Sequence, residues 1–417
     1  MLIAFYFCLV VWFIIQFSLA AGFVYRLHRF RRSLLPDASC PNAVVVLCLR
    51  GGDPFLSQCI TGLLAQDYPS YEVRFIVDNL EDPSMPIVKT AIAKSGNVLS
   101  RIELLASPSS TCSLKCSSLV QAVEGMADSI EIVALLDADT IPHATWLREL
   151  ATALAPNEIG AATGNRWYMP QTGSHGALIR YAWNAAAIVQ MYWYEIAWGG
   201  TLALKLDSIR RAGILARWRL AYCEDTMIRK QLSTIDQKVV FVPSLMMINR
   251  EDCSVVSFRG WVKRQLLATR LYHPFWWLIV GHGASSAILI LWGFLTCLAL
   301  LAQGNWMGAT GVFLALNVFQ ACLTSLLPWI ERAVFNVAKA RGEDVNWQGR
   351  PSWFTTLWIT WMTQWVYTWA LIRCLFLKRF NWRGIDYSVA GPWGIQMLGY
   401  QPYRTEPNKL ECAEQSI

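Results

Sequence analysis

Two aspartates, one residue apart, end a strongly apolar stretch of the chain. In IVALLDADTIP (132–142), Asp137 and Asp139 follow five apolar residues, and Ile141-Pro142 close the stretch. One interpretation is a strand that reaches the surface and turns. The other is a pair of carboxylates that hold a metal ion, because side chains at positions i and i+2 of a strand share a face and hard divalent cations prefer oxygen ligands. The choice depends on which other polar residues accompany the pair.

Other residues that could do chemistry lie in short, separate motifs. In chain order they are Asp78 and Asp82 in VDNLEDP, Lys115 in SLKCSSL, Glu224 and Asp225 in AYCEDT, and Arg264 in GWVKRQ.

Each of these motifs also has an ordinary structural interpretation. Asp78 and Asp82 suit a turn before a proline, and Lys115 suits a solvated surface. Two acids such as those of CEDT are favoured at a helix N-terminus by the helix dipole. Arg264 could extend its charged head to the membrane surface.

The elements that would position these residues alternate along residues 40–250. Strand-like stretches occur at 43–49, 71–78, 102–106, 131–139 and 239–243, with helix-like stretches at 54–66, 87–95 and 113–126. This alternation predicts an α/β fold with a mostly parallel sheet covered by helices. Ligands of such sheets bind beyond the carboxyl ends of the strands, where VDN and DAD are placed. The position therefore favours the ligand-binding interpretation of the aspartate pair.

The ends of the chain predict membrane segments. Hydrophobic residues make up 54% of the sequence, and residues 1–25 contain no charged residue although the next seven include four arginines. Twenty-five uncharged, mostly apolar residues are long enough to cross a bilayer, and the stretch lacks the basic start and cleavage site of a signal peptide. We therefore predict a retained anchor at 1–25, with the arginines and the following domain in the cytoplasm.

A second uncharged region covers residues 271–330. It predicts a membrane hairpin at 273–330, with helices at 275–302 and 306–329 separated by the turn residues Gly304 and Asn305. An interfacial helix at 251–272 that carries WVKRQ would precede it.

The last part of the chain is Trp-rich and then basic. Residues 351–377 predict a helix that either spans the membrane or lies at its interface, since tryptophan favours the bilayer–water boundary. The basic tail at 378–417 favours the cytoplasm, which supports the interfacial alternative. A net charge of +7 without dense Lys/Arg runs suits a membrane surface and anionic ligands rather than nucleic acid.

The ordered set of motifs resembles the family-2-type nucleotide-sugar glycosyltransferases, and in particular the ceramide glucosyltransferase-like subgroup. The stretch AQDYPSYEVRFIVDNLEDP (65–83), the Gly-containing loop and following helix in WGGTLALKLDSIRRAGI (198–214), and WRGIDY (382–387) are similar to motifs of that subgroup. The resemblance covers residues 40–272 well and the tail loosely. It implies a GT-A (Rossmann-like) domain, with membrane helices at both ends of the chain.

The resemblance also implies roles for the polar residues. Asp139 would bind a divalent cation, Mn²⁺ or Mg²⁺, and Asp137 would contact the sugar nucleotide or share the metal. Asp225 would be the general base, with Glu224 the weaker candidate of that pair. The remaining substrate-binding residues would be Asp78 at the base or ribose, Asp82 nearby, Lys115 at the nucleotide or an acid, and Arg264 at the diphosphate.

One motif departs from the family pattern. The family reads (Q/R)xxRW, whereas this chain reads WVKRQ, with Trp261 at the first position and Gln265 at the last. Arg264 keeps the place of the arginine, and a guanidinium suits phosphate oxygens. An acceptor-stacking role at the last position is not predicted.

The resulting prediction is an integral-membrane inverting glycosyltransferase. It would transfer a hexose, with glucose as the first candidate, from a UDP-sugar to the hydroxyl of a ceramide-like or diacylglycerol-like lipid. One alternative is a processive polysaccharide synthase of the same superfamily, which would need more membrane spans than the sequence provides. Another is a non-enzymatic membrane scaffold, which the presence of both Asp139 and Asp225 disfavours.

Overall fold

The computed structural model describes residues 2–96 and 99–403. Its main sheet is formed by the strands β1 (Ala43–Leu49), β2 (Tyr71–Val77), β3 (Leu99–Leu104), β4 (Ile132–Leu136), β5 (Ile159–Tyr168), β6 (Thr201–Lys205) and β7 (Lys238–Asn249). The helices between them are α2 (Leu56–Leu63), α3 (Ser84–Ser95), α4 (Leu114–Val123), α5 (Trp146–Leu154), α6 (His175–Tyr194), α7 (Leu206–Arg211), α8 (Ile214–Trp218) and α9 (Ile228–Leu232). We call these strands and helices together the sheet domain.

The main sheet is mostly parallel. Its strand order is β3-β2-β1-β4-β6-β5-β7, and β6 runs antiparallel to both of its neighbours while the other pairs are parallel. Strand β1 buries Val44 and Val46 in one core cluster and Val45 and Leu47 in another, so both faces of the sheet are covered. The predicted α/β fold is confirmed, and the carboxyl ends of β1, β2 and β4 meet at one edge.

Strands β5 and β6 were not predicted from the sequence. Strand β5 contains several small residues, which are weak strand formers, and close packing explains one of them. A side chain at Gly164 would place its Cβ 2.2 Å from the Leu245 carbonyl oxygen of β7.

Three long apolar helices form a layer beside the sheet domain. Within the described residues, α1 (Leu2–Arg29), α11 (Trp276–Ala302) and α12 (Trp306–Ala340) are the helices long and apolar enough to cross a membrane. Polar contacts join the first two, since Trp12 Nε1 donates a hydrogen bond to Ser286 Oγ at 2.8 Å and Gln16 contacts His282 at 3.1 Å. The second hairpin helix is eleven residues longer than the predicted 306–329, because it continues past Ile330 to the sheet domain.

Two further helices lie between this layer and the sheet domain. They are α10 (Val255–Tyr272), which begins four residues after the predicted start at 251 and ends where predicted, and α13 (Trp353–Leu375). Both flanks of α13 contact the sheet domain: Trp347 Nε1 donates to the Pro170 carbonyl at 2.6 Å before it, and Phe380 packs on Tyr222 after it. Because the chain starts and ends α13 on the same side, its placement favours the interfacial alternative over a full span.

The chain then returns across the sheet domain as a small antiparallel sheet. Its strands are β8 (Arg379–Trp382), β9 (Ile385–Val389) and β10 (Ile395–Met397). A tight hairpin joins β8 to β9, with φ of 48° at Arg383 and 78° at Gly384, which is the conformation of a two-residue type I′ turn. The predicted basic tail, 378–417, is thus structured as far as residue 403, and its remainder, 404–417, lies outside the described residues.

Candidate active site

Two cavities meet beside the carboxyl edge of the main sheet. A polar cavity of about 180 Å³ lies beyond β1, β2 and β4, and an apolar cavity of about 210 Å³ lies among α6, α10 and the long helices. The residues that line both are Arg166, Trp198, Asp225, Trp261 and Gln265. A polar ligand and an apolar ligand bound here would therefore meet at these side chains.

The aspartate pair lies at the floor of the polar cavity. Strand β4 ends at Leu136, so Asp137 and Asp139 lie in the turn that follows it, where the Thr140 amide donates to the Asp137 carbonyl at 3.0 Å. The sequence predicts that strand alternation places the two side chains on one face. This prediction is wrong in detail, because both residues lie in the turn after the strand. Both carboxylates nevertheless line the same cavity.

The two aspartates differ in electrostatic environment. Burial and the neighbouring Asp137 carboxylate raise the pKa of Asp139 to about 7. Burial also disfavours charge on Asp137, but Lys115 outweighs it and lowers the pKa of that carboxyl. Asp139 is therefore the carboxylate that a bound cation would stabilise most.

Lys115 lies between two acids rather than in solvent. Its Nζ is 2.5 Å from Asp137 Oδ1 and 2.6 Å from Glu224 Oε1. Burial opposes its charge, but the two carboxylates outweigh burial and raise the Lys115 pKa well above its usual range. Burial is also the main reason that the pKa of Glu224 rises to about 7, with Lys115 opposing it. This bridge ties α4 to the turn after β4 and to the CEDT loop.

Asp225 is held in one orientation by three donors. Its Oδ2 accepts from the Gly199 amide at 2.8 Å, and its Oδ1 accepts from the Thr226 amide at 2.5 Å and the Thr226 hydroxyl at 2.9 Å. It is half-buried and lines both cavities. Of the acids named above, it is the one that borders the apolar cavity.

The Gly199-Gly200 pair makes this arrangement possible. A Cβ at Gly199 would lie 1.9 Å from Glu224 Oε1, and one at Gly200 would lie 2.1 Å from the Trp198 ring. Neither position has room for a side chain. The loop before β6 thereby brings Trp198 and Asp225 together at the junction of the cavities.

Helix α10 presents the WVKRQ motif to both cavities. Trp261, Arg264 and Gln265 are spaced for one helical face, and Trp261 and Gln265 border both cavities while Arg264 lines the polar one. Burial lowers the pKa of the Arg264 guanidinium, Tyr222 opposes this change, and the nearby charge of Arg383 adds to it. Arg264 is thus placed to meet an anionic group of a ligand in the polar cavity.

Sequence reasoning did not identify Arg166, which is central to the site. Its guanidinium lies over three rings, at 4.8 Å from the centroid of Trp261, 5.2 Å from Trp198 and 5.5 Å from Tyr168. These are cation–π distances. The only signal available was the arginine inside the aromatic stretch NRWYMP, in a strand that was itself not predicted.

Asp78 lies at the rim of the polar cavity and is engaged by the chain's own residues. Arg50 forms an ion pair with it, the Tyr400 hydroxyl donates to its Oδ1 at 2.9 Å, and the Tyr403 amide donates to its Oδ2 at 3.0 Å. The segment after β10 therefore lies across the position where the predicted base or ribose contact would form. Arg50 follows β1 directly, so the rule that drew attention to Asp78 could also have found it.

The structure does not bring Asp82 into the cavity. Its carboxylate is almost fully buried and accepts hydrogen bonds from the Gly51 amide at 2.9 Å, the Ser84 amide at 2.9 Å and the Ser84 hydroxyl at 2.6 Å. These contacts hold the loop after β1 against the start of α3. The arrangement is that of a buried turn anchor.

The C-terminal hairpin supplies a further arginine, Arg383, to the polar cavity. The Arg383 Nη2 donates to Asp53 Oδ1 at 2.7 Å, and Arg50 Nε donates to the Arg383 carbonyl at 3.0 Å. Burial opposes its charge, but Asp53, and then Asp139 and Asp137, outweigh burial and raise the pKa of Arg383. The WRGIDY motif therefore completes the wall of the cavity opposite the main sheet.

If the polar cavity binds the predicted sugar nucleotide, an Arg383→Gln substitution is expected to weaken binding of its nucleoside diphosphate by about 10–100-fold, because hydrogen bonds to charged groups contribute about 1.5–3 kcal/mol. Calorimetric titration of UDP measures the loss. The matched control is Arg379→Gln in the same small sheet, where the side chain is exposed and no loss is expected. Equal losses in the two variants would contradict a direct role of Arg383.

The residues present fit a divalent cation bound together with a ligand. Asp137 and Asp139 offer hard oxygen ligands, and burial together with the neighbouring Asp137 raises the pKa of Asp139, so a cation there would be stabilising. No group of three or more His, Cys, Asp or Glu residues in 2–96 and 99–403 is arranged to hold a metal by itself. The remaining ligands would therefore come from the substrate or from water.

The mostly parallel sheet and the polar cavity beyond its carboxyl edge are the arrangement expected of a GT-A domain. The chain matches the model of glycosyl transferase family 21 over residues 10–392, and it belongs to that family. The predicted resemblance to the ceramide glucosyltransferase-like glycosyltransferases is confirmed at the level of this family.

Individual relatives are distant. Ceramide glucosyltransferase 1 of Caenorhabditis elegans is 20% identical over 255 residues, which are 59% of this chain and 54%, about half, of that relative. The mannosyltransferase PcManGT from Pyrobaculum calidifontis, in complex with GDP-Man and Mn²⁺, is 14% identical with a TM-score of 0.49, and the match covers 89% of this chain and 99% of that one. Glucosyl-3-phosphoglycerate synthase from Mycobacterium tuberculosis, with Mn²⁺, UDP-Glc and glycerol 3-phosphate, is 14% identical with a TM-score of 0.34, covering 55% and 84%.

Proposed function

We propose that this protein transfers a hexose, with glucose as the first candidate, from a UDP-sugar to the hydroxyl of a membrane lipid, with inversion at the anomeric carbon. The observation that carries the proposal is Asp225, which lies where the polar cavity opens into the apolar one. A sugar nucleotide fits the charged side, and a lipid fits the side lined by the long helices. The ceramide glucosyltransferase relative favours a ceramide-like acceptor over a diacylglycerol-like one.

In the proposed reaction the oxygen of the acceptor hydroxyl attacks the anomeric carbon. Asp225 accepts the proton that this hydroxyl loses. The bond from that carbon to the diphosphate breaks, and the electron pair leaves with the nucleotide. Gly199 and Thr226 keep the carboxylate of Asp225 oriented toward the junction. Base catalysis of this kind contributes about 10²–10⁴ in rate.

The polar cavity would stabilise the leaving diphosphate. Arg264 and Arg383 present guanidinium groups, which pair with phosphate oxygens. Asp139, with Asp137, would hold a divalent cation, which when bound would neutralise diphosphate charge. Lys115 would keep Asp137 in place through its 2.5 Å contact.

The acceptor would enter the apolar cavity from the bilayer. The lining includes residues of α1, α11, α12 and α13 as well as of the sheet domain, so the cavity lies where the layer of apolar helices meets the sheet domain. Gln364 and Tyr367 add polar groups to its wall, and a lipid head group with hydroxyl and amide functions could bond to them. This placement supports lateral access for a lipid rather than a soluble acceptor.

We place the sheet domain in the cytoplasm. Arg32, in the basic cluster after the first apolar stretch, pairs with Glu149 of the sheet domain at 2.8 Å, so the basic end of α1 and the sheet domain share one side. Positive charge next to a membrane segment favours the cytoplasmic side. None of the cysteines in 2–96 and 99–403 forms a disulfide, which suits a reducing compartment.

The proposal is tested with purified protein, a panel of UDP-sugars and extracted lipids, read by mass spectrometry. We expect one hexose added to a lipid with a free hydroxyl. A polymer would instead indicate the polysaccharide synthase, and no transfer from any donor would indicate the scaffold. The three candidate spans in the described residues favour the lipid product.

Filling the apolar cavity is expected to weaken binding of the lipid acceptor without weakening binding of the UDP-sugar donor. An Ala187→Trp substitution places an indole in the lining, where it occupies volume that the acceptor would need. The KM for lipid should then rise about tenfold or more while UDP-sugar binding is retained. The control is Ala302→Trp at the exposed end of α11; an equal rise there would remove the cavity from consideration as the acceptor site.

A further inference from the structure

Three cations surround one tryptophan where α10 meets α13. The Arg259 guanidinium lies 3.9 Å from the centroid of the Trp369 ring, the Lys263 amine lies 5.4 Å from it, and the Arg373 guanidinium lies 6.0 Å from it. We call these four residues the Trp369 cluster. Its cations come from two helices that are far apart in sequence, so the fold itself concentrates the charge.

Within the described residues, the Trp369 cluster has no acidic partner. Across residues 2–96 and 99–403, neither Arg259, Lys263 nor Arg373 forms an ion pair or a side-chain hydrogen bond. Burial, followed by the charges of Arg373 and Arg259, lowers the pKa of Lys263. One indole attracts a cation through its face, but it carries no net charge and cannot neutralise three. An anion bound among the three cations would neutralise positive charge.

The cluster adjoins an apolar surface. Trp358, Trp365 and Ile372 follow each other at seven-residue spacing on α13, and each is more than half exposed. Seven residues are close to two helical turns, so these side chains form one stripe. An exposed apolar stripe bordered by cations is the pattern of a helix that lies in a membrane interface.

We propose that the Trp369 cluster binds the phosphate group of an anionic membrane phospholipid. Guanidinium and ammonium groups at the rim of an apolar helix face meet lipid phosphates at the depth of the head groups. The lipid would bridge α10 and α13. Another face of α10 carries Trp261, Arg264 and Gln265, so the bound lipid would hold the helix that lines both cavities.

The test measures lipid binding, so it does not depend on any transferase activity. The full chain in a neutral detergent is titrated with phosphatidylglycerol or phosphatidylcholine and examined by native mass spectrometry. The test variant carries Arg259→Gln, Lys263→Gln and Arg373→Gln. The control variant carries Arg26→Gln, Arg29→Gln and Arg31→Gln, which removes the same charge beside the end of α1.

We expect the wild type to retain phosphatidylglycerol in preference to phosphatidylcholine. Binding should weaken roughly fivefold for each charge removed from the cluster, and less in the control. A third variant, Arg259→Lys, Lys263→Arg and Arg373→Lys, keeps the charge and should keep binding, which distinguishes loss of the site from loss of folding. Equal weakening in test and control variants would indicate only general attraction to negative charge and would overturn the proposal.

A competition arm distinguishes a lipid head group from a free anion. Inorganic phosphate or glycerol phosphate, added at the concentration of phosphatidylglycerol, should leave most of the lipid bound because neither occupies the apolar stripe. Complete displacement would assign the cluster to soluble phosphate compounds and overturn the lipid assignment.

Discussion

An Asp225→Asn enzyme is expected to bind its UDP-sugar normally and to transfer almost no sugar. The amide cannot accept a proton from the acceptor hydroxyl, so the rate should fall by about 10²–10⁴. The substitution is nearly isosteric, and the amide oxygen can still accept from the Thr226 amide and hydroxyl. The measurements are transfer under saturating substrates and donor affinity by calorimetry.

Glu224→Gln is the matched control for this prediction. Glu224 is buried and pairs with Lys115 at 2.6 Å, on the polar side of the junction. Removing the Glu224 carboxylate should weaken donor binding, because Lys115 loses one of its two partners. The transfer rate at saturating donor should fall much less than in Asp225→Asn. Full transfer by Asp225→Asn, or a larger kcat loss in Glu224→Gln, would move the base from Asp225 to its neighbour.

The parts of this site that could be predicted from sequence are those fixed by local pattern. Asp78 and Asp137 directly follow apolar runs, and the carboxyl ends of parallel strands share one edge of a sheet. That rule alone brings the two carboxylates to one cavity. The face of helix α10 was predictable in the same way, because Arg264 and Gln265 lie three and four residues after Trp261 and so share its face whenever the segment is helical.

The parts that could not be predicted depend on contacts between distant segments. Arg383 lies 333 residues from Arg50 along the chain, yet Arg50 donates to the Arg383 carbonyl at 3.0 Å. No spacing rule relates such positions. Arg166 was missed for another reason, since β5 has low strand propensity and is held in the sheet by its neighbours.

Asp82 shows the opposite case, because its surroundings match the turn interpretation rather than the predicted ligand contact. An acid four residues after a strand end suits a ligand contact and a turn equally well. The structure gives its carboxylate three donors from Gly51 and Ser84, so its hydrogen-bonding capacity is used within the loop. Only the packed structure distinguishes such an anchor from a residue that faces the cavity.

An Asp139→Asn variant is expected to lose the dependence of UDP-sugar binding on Mn²⁺ or Mg²⁺. Burial and Asp137 raise the pKa of Asp139 to about 7, so a bound cation is stabilised most at this carboxylate. The amide of the variant is a weaker ligand for a hard cation. Calorimetric titration of UDP-sugar with Mn²⁺ and with chelator measures the difference, which should be large in the wild type and nearly absent in the variant.

Asp82→Asn separates this effect from general damage to the carboxyl edge. Its carboxylate anchors the loop after β1 and does not line the polar cavity, so the variant should have a lower Tm because a buried hydrogen-bonded network is disturbed, at a cost of about 1–3 kcal/mol. Its donor affinity should still respond to Mn²⁺. If Asp82→Asn abolished the metal response and Asp139→Asn kept it, the cation would have to bind beside Gly51 rather than in the turn after β4.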